Sequence, residues 1–174
     1  MPSITTLLHT FNHGLMLGRA LETLYPCDEI LIVDHGSYDD TVRVAHEYGA
    51  RVISLPPDAL PSSWLQAASS DWILCLEPRE SLTEALAASL YEWKLDEAGE
   101  GTRARACSLS LREETATGWR NLPNRETRLV EKNWSQWRGW LPAYDPSAKM
   151  LDGPVLRFMR PADVLQSLSG KGLV

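Results

Sequence analysis

An excess of basic charge is the first thing this sequence lacks. Seventeen Lys plus Arg stand against 23 Asp plus Glu, for a formal net charge of −6. Such a chain lacks the basic stripe that neutralises phosphates along a nucleic acid, so no nucleic-acid partner is expected. Cysteine is also scarce. Cys27, Cys75 and Cys107 are odd in number, far apart and without C-x-x-C spacing. That excludes a disulfide-stapled scaffold and a zinc ribbon, and fits a reduced, cytoplasmic setting. Long apolar runs are missing: none nears the roughly 20 residues of a membrane helix, so no membrane span is expected. Residues 1–13 have neither the basic start nor the apolar length of a secretory signal. Glycine and proline, 11 each, fall short of a low-complexity or collagen-like composition. Neither an internal repeat nor a heptad pattern is present. What remains is a 174-residue chain, 44% hydrophobic and 23% charged, long enough for one domain with a full core and no covalent staples.

The apolar pattern predicts an alternation of strands and helices. Residues 3–9 read as a short buried strand. Leu17, Ala20, Leu21 and Leu24 share a helical face bounded by Pro26. Residues 30–33 are apolar without interruption, as in a strand buried on both faces. Val42, Ala45 and Tyr48 mark a second helix, ended by Gly49. A third strand covers 51–55, a short helix 64–68 and a fourth strand 72–76. Ser81-x-x-Glu84 has the form of a capping box opening a helix to about Glu97, with Leu82, Ala85, Leu86 and Leu90 inward. Alternation of this kind implies a doubly wound, mostly parallel α/β sheet of Rossmann-like type. Beyond a polar linker at 100–105 the character changes. Strands are expected at 106–111 and 127–130, and a last helix at 161–168 before a frayed tail. The division is therefore 1–98 for an α/β half and 99–174 for a short extension carrying antiparallel strands.

Ligands of open parallel sheets bind beyond the carboxyl ends of the strands. There this sequence collects Thr10, Asn12 and His13 after the first strand. Asp34, His35, Gly36, Ser37 and Asp39 follow the second, and Glu77, Arg79 and Glu80 the fourth. Singly, each has a local use: Asp34 orders its turn, Asp39 or Asp40 caps a helix, Glu80 is a solvated charge. Together on one rim they point to a site.

These blocks resemble the nucleotide-sugar-binding half of family 2 glycosyltransferases, inverting enzymes of GT-A fold. Thr10-Phe11-Asn12-His13 is similar to the turn after that family's first strand. Residues 28–41, D-E-I-L-I-V-D-H-G-S-Y-D-D-T, are similar to its D-E-I-x-V-V-D-x-G-S-x-D-G-T block. Residues 49–52 match G-A-K-V, and residues 70–80 match G-D-W-I-L-x-L-D-A-D-E. More loosely, residues 125–130 and Asp152-Gly153-Pro154-Val155 resemble segments of the lipopolysaccharide-core glucosyltransferase branch. The resemblance implies a nucleotide-sugar partner, by expectation a UDP-sugar, whose sugar passes with inversion to a glycan or glycolipid acceptor bound on the 99–174 side. It gives Asp34 the reading of base or ribose, Thr10 and Asn12 nucleotide contacts, Gly36 a close backbone approach, and Asp39 the holding of its loop or helix.

The match breaks where the chemistry is done. The family's D-x-D acids, which hold Mn2+ or Mg2+, are here Glu77-Pro78-Arg79. Glu77 keeps one carboxylate for a metal; Arg79 repels a cation and is suited to pairing with the diphosphate itself. No general base stands where the family pattern places one, near Gly139–Pro142, and only Glu113-Glu114 offers a substitute. The alternative is therefore a catalytically inactive GT-A-fold module that binds a nucleotide or a protein partner. His13, His35 and Glu77 also suggest a two-His, one-carboxylate metal site, against the plainer reading of exposed turn histidines. Trp134, Trp137 and Trp140, spaced by three, suit one helical face, irregular core packing, or a sugar-stacking surface. Arg120, Arg125, Arg128 and Arg138 are either solvated or available to a phosphate.

Overall fold

The computed structural model describes residues 1–97 and 104–170. Most of the polar linker at 100–105, and the last four residues of the expected tail, lie outside the described residues.

Four strands build the parallel half: β1 (Ile4–Thr10), β2 (Glu29–Asp34), β3 (Arg51–Ser54) and β4 (Trp72–Leu76), in spatial order β3-β2-β1-β4. Every residue of β1 and β4 is buried, because helices cover both faces and the apolar runs have no solvent side. Leu8, Ile32 and Leu74 face α1 (Gly14–Leu21), α2 (Thr41–Glu47) and α4 (Glu84–Glu97). Leu7, Leu31, Ile73 and Cys75 face α3 (Pro61–Leu65) and the tryptophan-rich segment. Gly49 follows α2 at φ +75°, a left-handed position that stops the helix.

The sheet then turns antiparallel and curls. β8 (Glu126–Glu131) pairs antiparallel with both β4 and β6 (Ala106–Thr115), β11 (Lys149–Arg157) runs parallel to β6, and β5 (Glu80–Leu82) ends the path against β11. β7 (Gly118–Asn121) forms an exposed hairpin with β6, and β9 (Trp137–Arg138) and β10 (Leu141–Pro142) form a separate two-stranded ribbon. This is a mostly parallel α/β fold with antiparallel additions.

Several expectations are corrected. Ser81 and Leu82 belong to β5 rather than to a helix cap; Thr83 takes that role, its Oγ1 accepting from Leu86 N–H at 3.2 Å. Ala85 is exposed, and Ala87 is buried in its stead. The short third helix begins earlier, at Pro61, and α5 (Pro161–Gly170) runs two residues further than expected. The three tryptophans lie in the β9 ribbon and its flanks, so their spacing is not helical. Gly153 sits at φ +90° where β11 crosses α4; a Cβ there would stand 2.4 Å from Leu86 N. Only glycine fits that crossing.

Candidate functional site

The carboxyl ends of β1, β2 and β4 carry two adjoining polar clusters. In the first, Asp34 is 3% exposed and its carboxylate is fully engaged by its own loop. Oδ1 accepts from Thr10 Oγ1 at 2.7 Å and from Ser37 Oγ at 2.6 Å; Oδ2 accepts from the N–H groups of Ser37 at 2.9 Å and Gly36 at 3.2 Å. Burial alone would raise its pKa, but these donors, led by Ser37 and Thr10, hold it below the usual carboxylate value. Asn12, at φ 56°, receives the Tyr38 N–H at 2.9 Å and gives its own N–H to Ser37 Oγ at 2.8 Å. Gly36 is required by its φ of +91°; the space where a Cβ would lie is open. Asp39 accepts from Gly14 N–H at 3.0 Å and Thr41 N–H at 2.9 Å, and bonds the Thr41 hydroxyl, so it ties together the first turns of α1 and α2. Thr10, Asn12, Asp34, Gly36 and Asp39 therefore form one connected loop system. Phe11 and Tyr38, exposed at its mouth, meet edge to face at 6.1 Å.

The second cluster lines a pocket of about 310 Å³ where β1 and β4 end, with walls from His9, His13, Met16, Glu77, Arg79, Arg138, Trp140 and Arg160. Arg79 Nε donates to Glu77 Oε2 at 3.1 Å. His13 Nδ1 accepts from Phe11 N–H at 2.9 Å, leaving Nε2 as the ring's N–H in the neutral form. Burial lowers the His13 pKa, opposed by the charges of Asp39, Glu77 and Asp34.

Behind the pocket lies an arrangement the sequence did not suggest. His9 and His35 are nearly coplanar, 6° apart, and joined Nδ1 to Nε2 at 2.9 Å. Trp140 lies flat over both imidazoles at 4.6 Å, and Trp64 meets His9 edge-on at 5.0 Å. His35 Nδ1 stands 2.8 Å from the Leu55 carbonyl, which can only accept. With both rings neutral, His35 Nδ1–H donates to that carbonyl, His35 Nε2 accepts from His9 Nδ1–H, and His9 Nε2 keeps a lone pair. That atom is buried and has no partner among the described residues. Burial first, and the charge of His35 second, push the His9 pKa down to about 3.

Glu80 is not a solvated charge. It is fully buried and held bidentate by Arg128 at 2.7 and 2.9 Å, with Arg157 at 3.1 Å and Glu126 bridging to Arg128 at 2.5 Å. Glu80 Oε1 also accepts the Glu77 N–H at 2.7 Å, and Arg128 caps the Cys75 carbonyl at 3.0 Å. Burial works against the Glu80 charge, yet Arg128 outweighs it and holds the carboxyl below its ordinary pKa. This network fixes the turn that presents Glu77 and Arg79. Arg128 is thereby withdrawn from any ligand. Arg120 pairs with Glu113 across the β6–β7 hairpin at 2.8 Å, and neither Glu113 nor Glu114 lines the pocket.

The donor set does not fit a divalent cation. Glu77 is the pocket's one carboxylate, and Arg79 and Arg157 stand 3.1 and 3.8 Å from its Oε2. His35 is turned away, with both ring nitrogens engaged, so it forms no triad with His13 and Glu77. Among the described residues no cluster of three His, Cys, Asp or Glu could hold a metal, as a hard cation needs several oxygens together. A larger depression of about 1090 Å³ lies at the opposite ends of β1 and β4, between Met1, Pro61, Asp71, Lys132 and Trp134. It is far from the strand ends where these polar groups converge. No described helix is long and apolar enough to cross a membrane.

Comparison with known proteins agrees on the architecture. No protein-family model matches the chain. Over 90 residues, 49% of this chain, it is 33% identical to an uncharacterized glycosyltransferase of Rickettsia prowazekii (strain Madrid E), and equally so to one of Rickettsia typhi (strain ATCC VR-144 / Wilmington). Those matches span 31% of each relative, so the chain covers about a third of the length of the curated relatives it resembles. Among solved structures, S. aureus TarS superposes on 95% of this chain and 38% of its own, with TM-score 0.65 and 12% identity. Glucosyl-3-phosphoglycerate synthase from Mycobacterium tuberculosis, crystallised with Mn2+, UDP and glucosyl-3-phosphoglycerate, superposes on 97% of this chain and 76% of its own, with TM-score 0.60 and 16% identity. Both are GT-A-like glycosyltransferases, and the likeness is one of fold.

Proposed function

We propose that this chain binds a nucleotide-sugar, a UDP-sugar by preference, at the rim formed by β1, β2 and β4, within a family 2-type glycosyltransferase. The observation that carries the reading is the joining of two unlike clusters at one set of strand ends. An ordered loop system around Asp34 adjoins a pocket whose charged groups are chiefly guanidinium. The nucleoside lies along the Thr10–Asn12 and Gly36–Tyr38 loops, where Asp34 and Asp39 set the loop shapes. The diphosphate lies against Arg79, and residues 104–170 supply the acceptor side. In transfer, the acceptor hydroxyl attacks the anomeric carbon and releases its proton to solvent as the bond to the diphosphate breaks with inversion, and Arg79 meets the charge that develops on the leaving group. UDP recorded with a fold relative supports the choice of nucleotide.

One observation favours binding without transfer as the second reading: Glu77, the pocket's one carboxylate, is turned onto Arg79 and Arg157 at 3.1 and 3.8 Å rather than left open to an acceptor hydroxyl. Calorimetric titration with UDP, UDP-sugars and uridine tests the first claim. Binding by the wild type that falls at least tenfold in Asp34→Ala supports it, and absence of binding to every nucleotide contradicts it. Release of UDP from a bound UDP-sugar on adding acceptor glycans separates transfer from binding alone.

A further inference from the structure

We propose that the pocket at the ends of β1 and β4 takes a diphosphate group without any divalent cation, its charge met by Arg79, Arg138 and Arg160. The proposal deepens the nucleotide reading, but rests on it only for what is attached to the diphosphate.

Charge is the first argument. In a chain of net charge −6, three guanidinium groups line this concavity, opposed by Glu77 on its wall and by Asp163, which pairs with Arg160, so one positive charge is left over. An excess of like charge around one concavity favours a counter-anion between the groups.

Hydrogen-bond accounting is the second. A guanidinium has five N–H donors. Arg79 spends its Nε on Glu77 at 3.1 Å and Arg160 its Nε on Asp163 at 3.1 Å. Their terminal nitrogens, and the whole of Arg138, have no acceptor among the described residues. Elsewhere on the surface Arg43, Arg51 and Arg120 pair with carboxylates through terminal nitrogens, Arg105 spends only its Nε on Glu131, and exposed Arg112 and Arg125 stand singly among the described residues. What sets the pocket apart is that three guanidinium groups with unused donors line one concavity, where a phosphate can take two donors at once, the geometry in which arginine excels.

Shape is the third. At about 310 Å³ the pocket is at the small end of ligand sites. It suits a diphosphate and a portion of what it carries, with the nucleoside on the adjoining loops. His13, whose neutral ring presents Nε2–H, adds a donor on the same wall. The residues that fail as a metal site are the ones that succeed as an anion site.

The test is calorimetric titration of the full chain with inorganic diphosphate in EDTA. We expect saturable binding, weakened about tenfold or more by Arg138→Ala and by Arg160→Ala, as each loses a charge-assisted contact. Arg138→Lys, which keeps charge but not the fork, should fall between. Arg105→Ala, at the far end of β6 and β8, should bind as the wild type does. Circular dichroism and thermal melts confirm that each variant folds. No diphosphate binding in EDTA, or equal weakening by Arg105→Ala, overturns the proposal. Parallel titrations with uridine and UDP keep the two readings apart. Uridine binding without diphosphate binding overturns the anion site and leaves the nucleotide reading standing. Diphosphate binding with UDP no tighter than diphosphate does the reverse.

Discussion

Two ion pairs three residues apart in the same turn have opposite surroundings. Glu80–Arg128 is wholly buried, and Glu80 is further bonded by Arg157 and by the Glu77 N–H. Glu77–Arg79 stands at the pocket, its side chains 35% and 25% exposed, with the terminal nitrogens of Arg79 unspent. The same contrast separates the Asp34 loop system, where the chain satisfies its own carboxylate four times over, from the arginine-lined pocket beside it. One set of polar groups sets the shape of the rim, and the other is left free to act at it.

The sharpest way to break this contrast is Arg128→Met. It removes the bidentate partner of buried Glu80 and leaves it only Arg157 and the Glu77 N–H, and about 3 kcal/mol of stability should be lost in urea unfolding; a loss under 1 kcal/mol would place the network outside the fold's support. Next in size, Asp34→Ala should cost about 2–3 kcal/mol, because two N–H and two hydroxyl donors lose one acceptor. Asp34→Asn should recover part of that.

His9 extends the contrast to pH. Its folded pKa of about 3 lies below the unfolded value near 6.5, so its contribution to stability is complete above pH 6.5. It drains away as pH falls, because only the unfolded chain takes up the proton. At about 1.4 kcal/mol per pH unit, going from pH 7 to pH 5 should cost about 2 kcal/mol from this residue. His9→Gln should flatten that slope while acid loss from the carboxylates persists. The smallest effect is expected from Arg79→Met. The pair is partly solvated, so it should change stability by less than about 1 kcal/mol while weakening UDP binding more than any structural substitution of similar cost.

The parallel half was legible because strands covered on both faces leave uninterrupted apolar runs and Gly49 marks its turn directly. The strand ends were legible for the same reason, so Thr10, Asn12, Asp34, Asp39, Glu77 and Arg79 could be named from order alone. What escaped depends on contacts distant in sequence. Glu80 is buried because Arg128, 48 positions on, reaches it across the curled sheet, and nothing local distinguishes it from a surface charge. The Ser81-x-x-Glu84 pattern is a sound capping signal overridden by pairing with β11. Trp134, Trp137 and Trp140 imitate a helical stripe, whereas each is placed by the ribbon that lays Trp140 on the histidine pair. His9 was hidden inside a strand expected to be core, and Arg160 gains meaning only when the chain's end returns to the pocket.

On the reading proposed above, the arginine pocket receives the rim's ligand and the Asp34 loops shape its seat. The most direct test is an NMR titration of the isotope-labelled chain with UDP in EDTA. The largest shifts are expected at Glu77, Arg79, Arg138, Trp140 and Arg160, with smaller ones along residues 10–13 and 34–39. Shifts confined to the depression around Met1, Asp71 and Trp134, or none at saturating UDP, would contradict that reading.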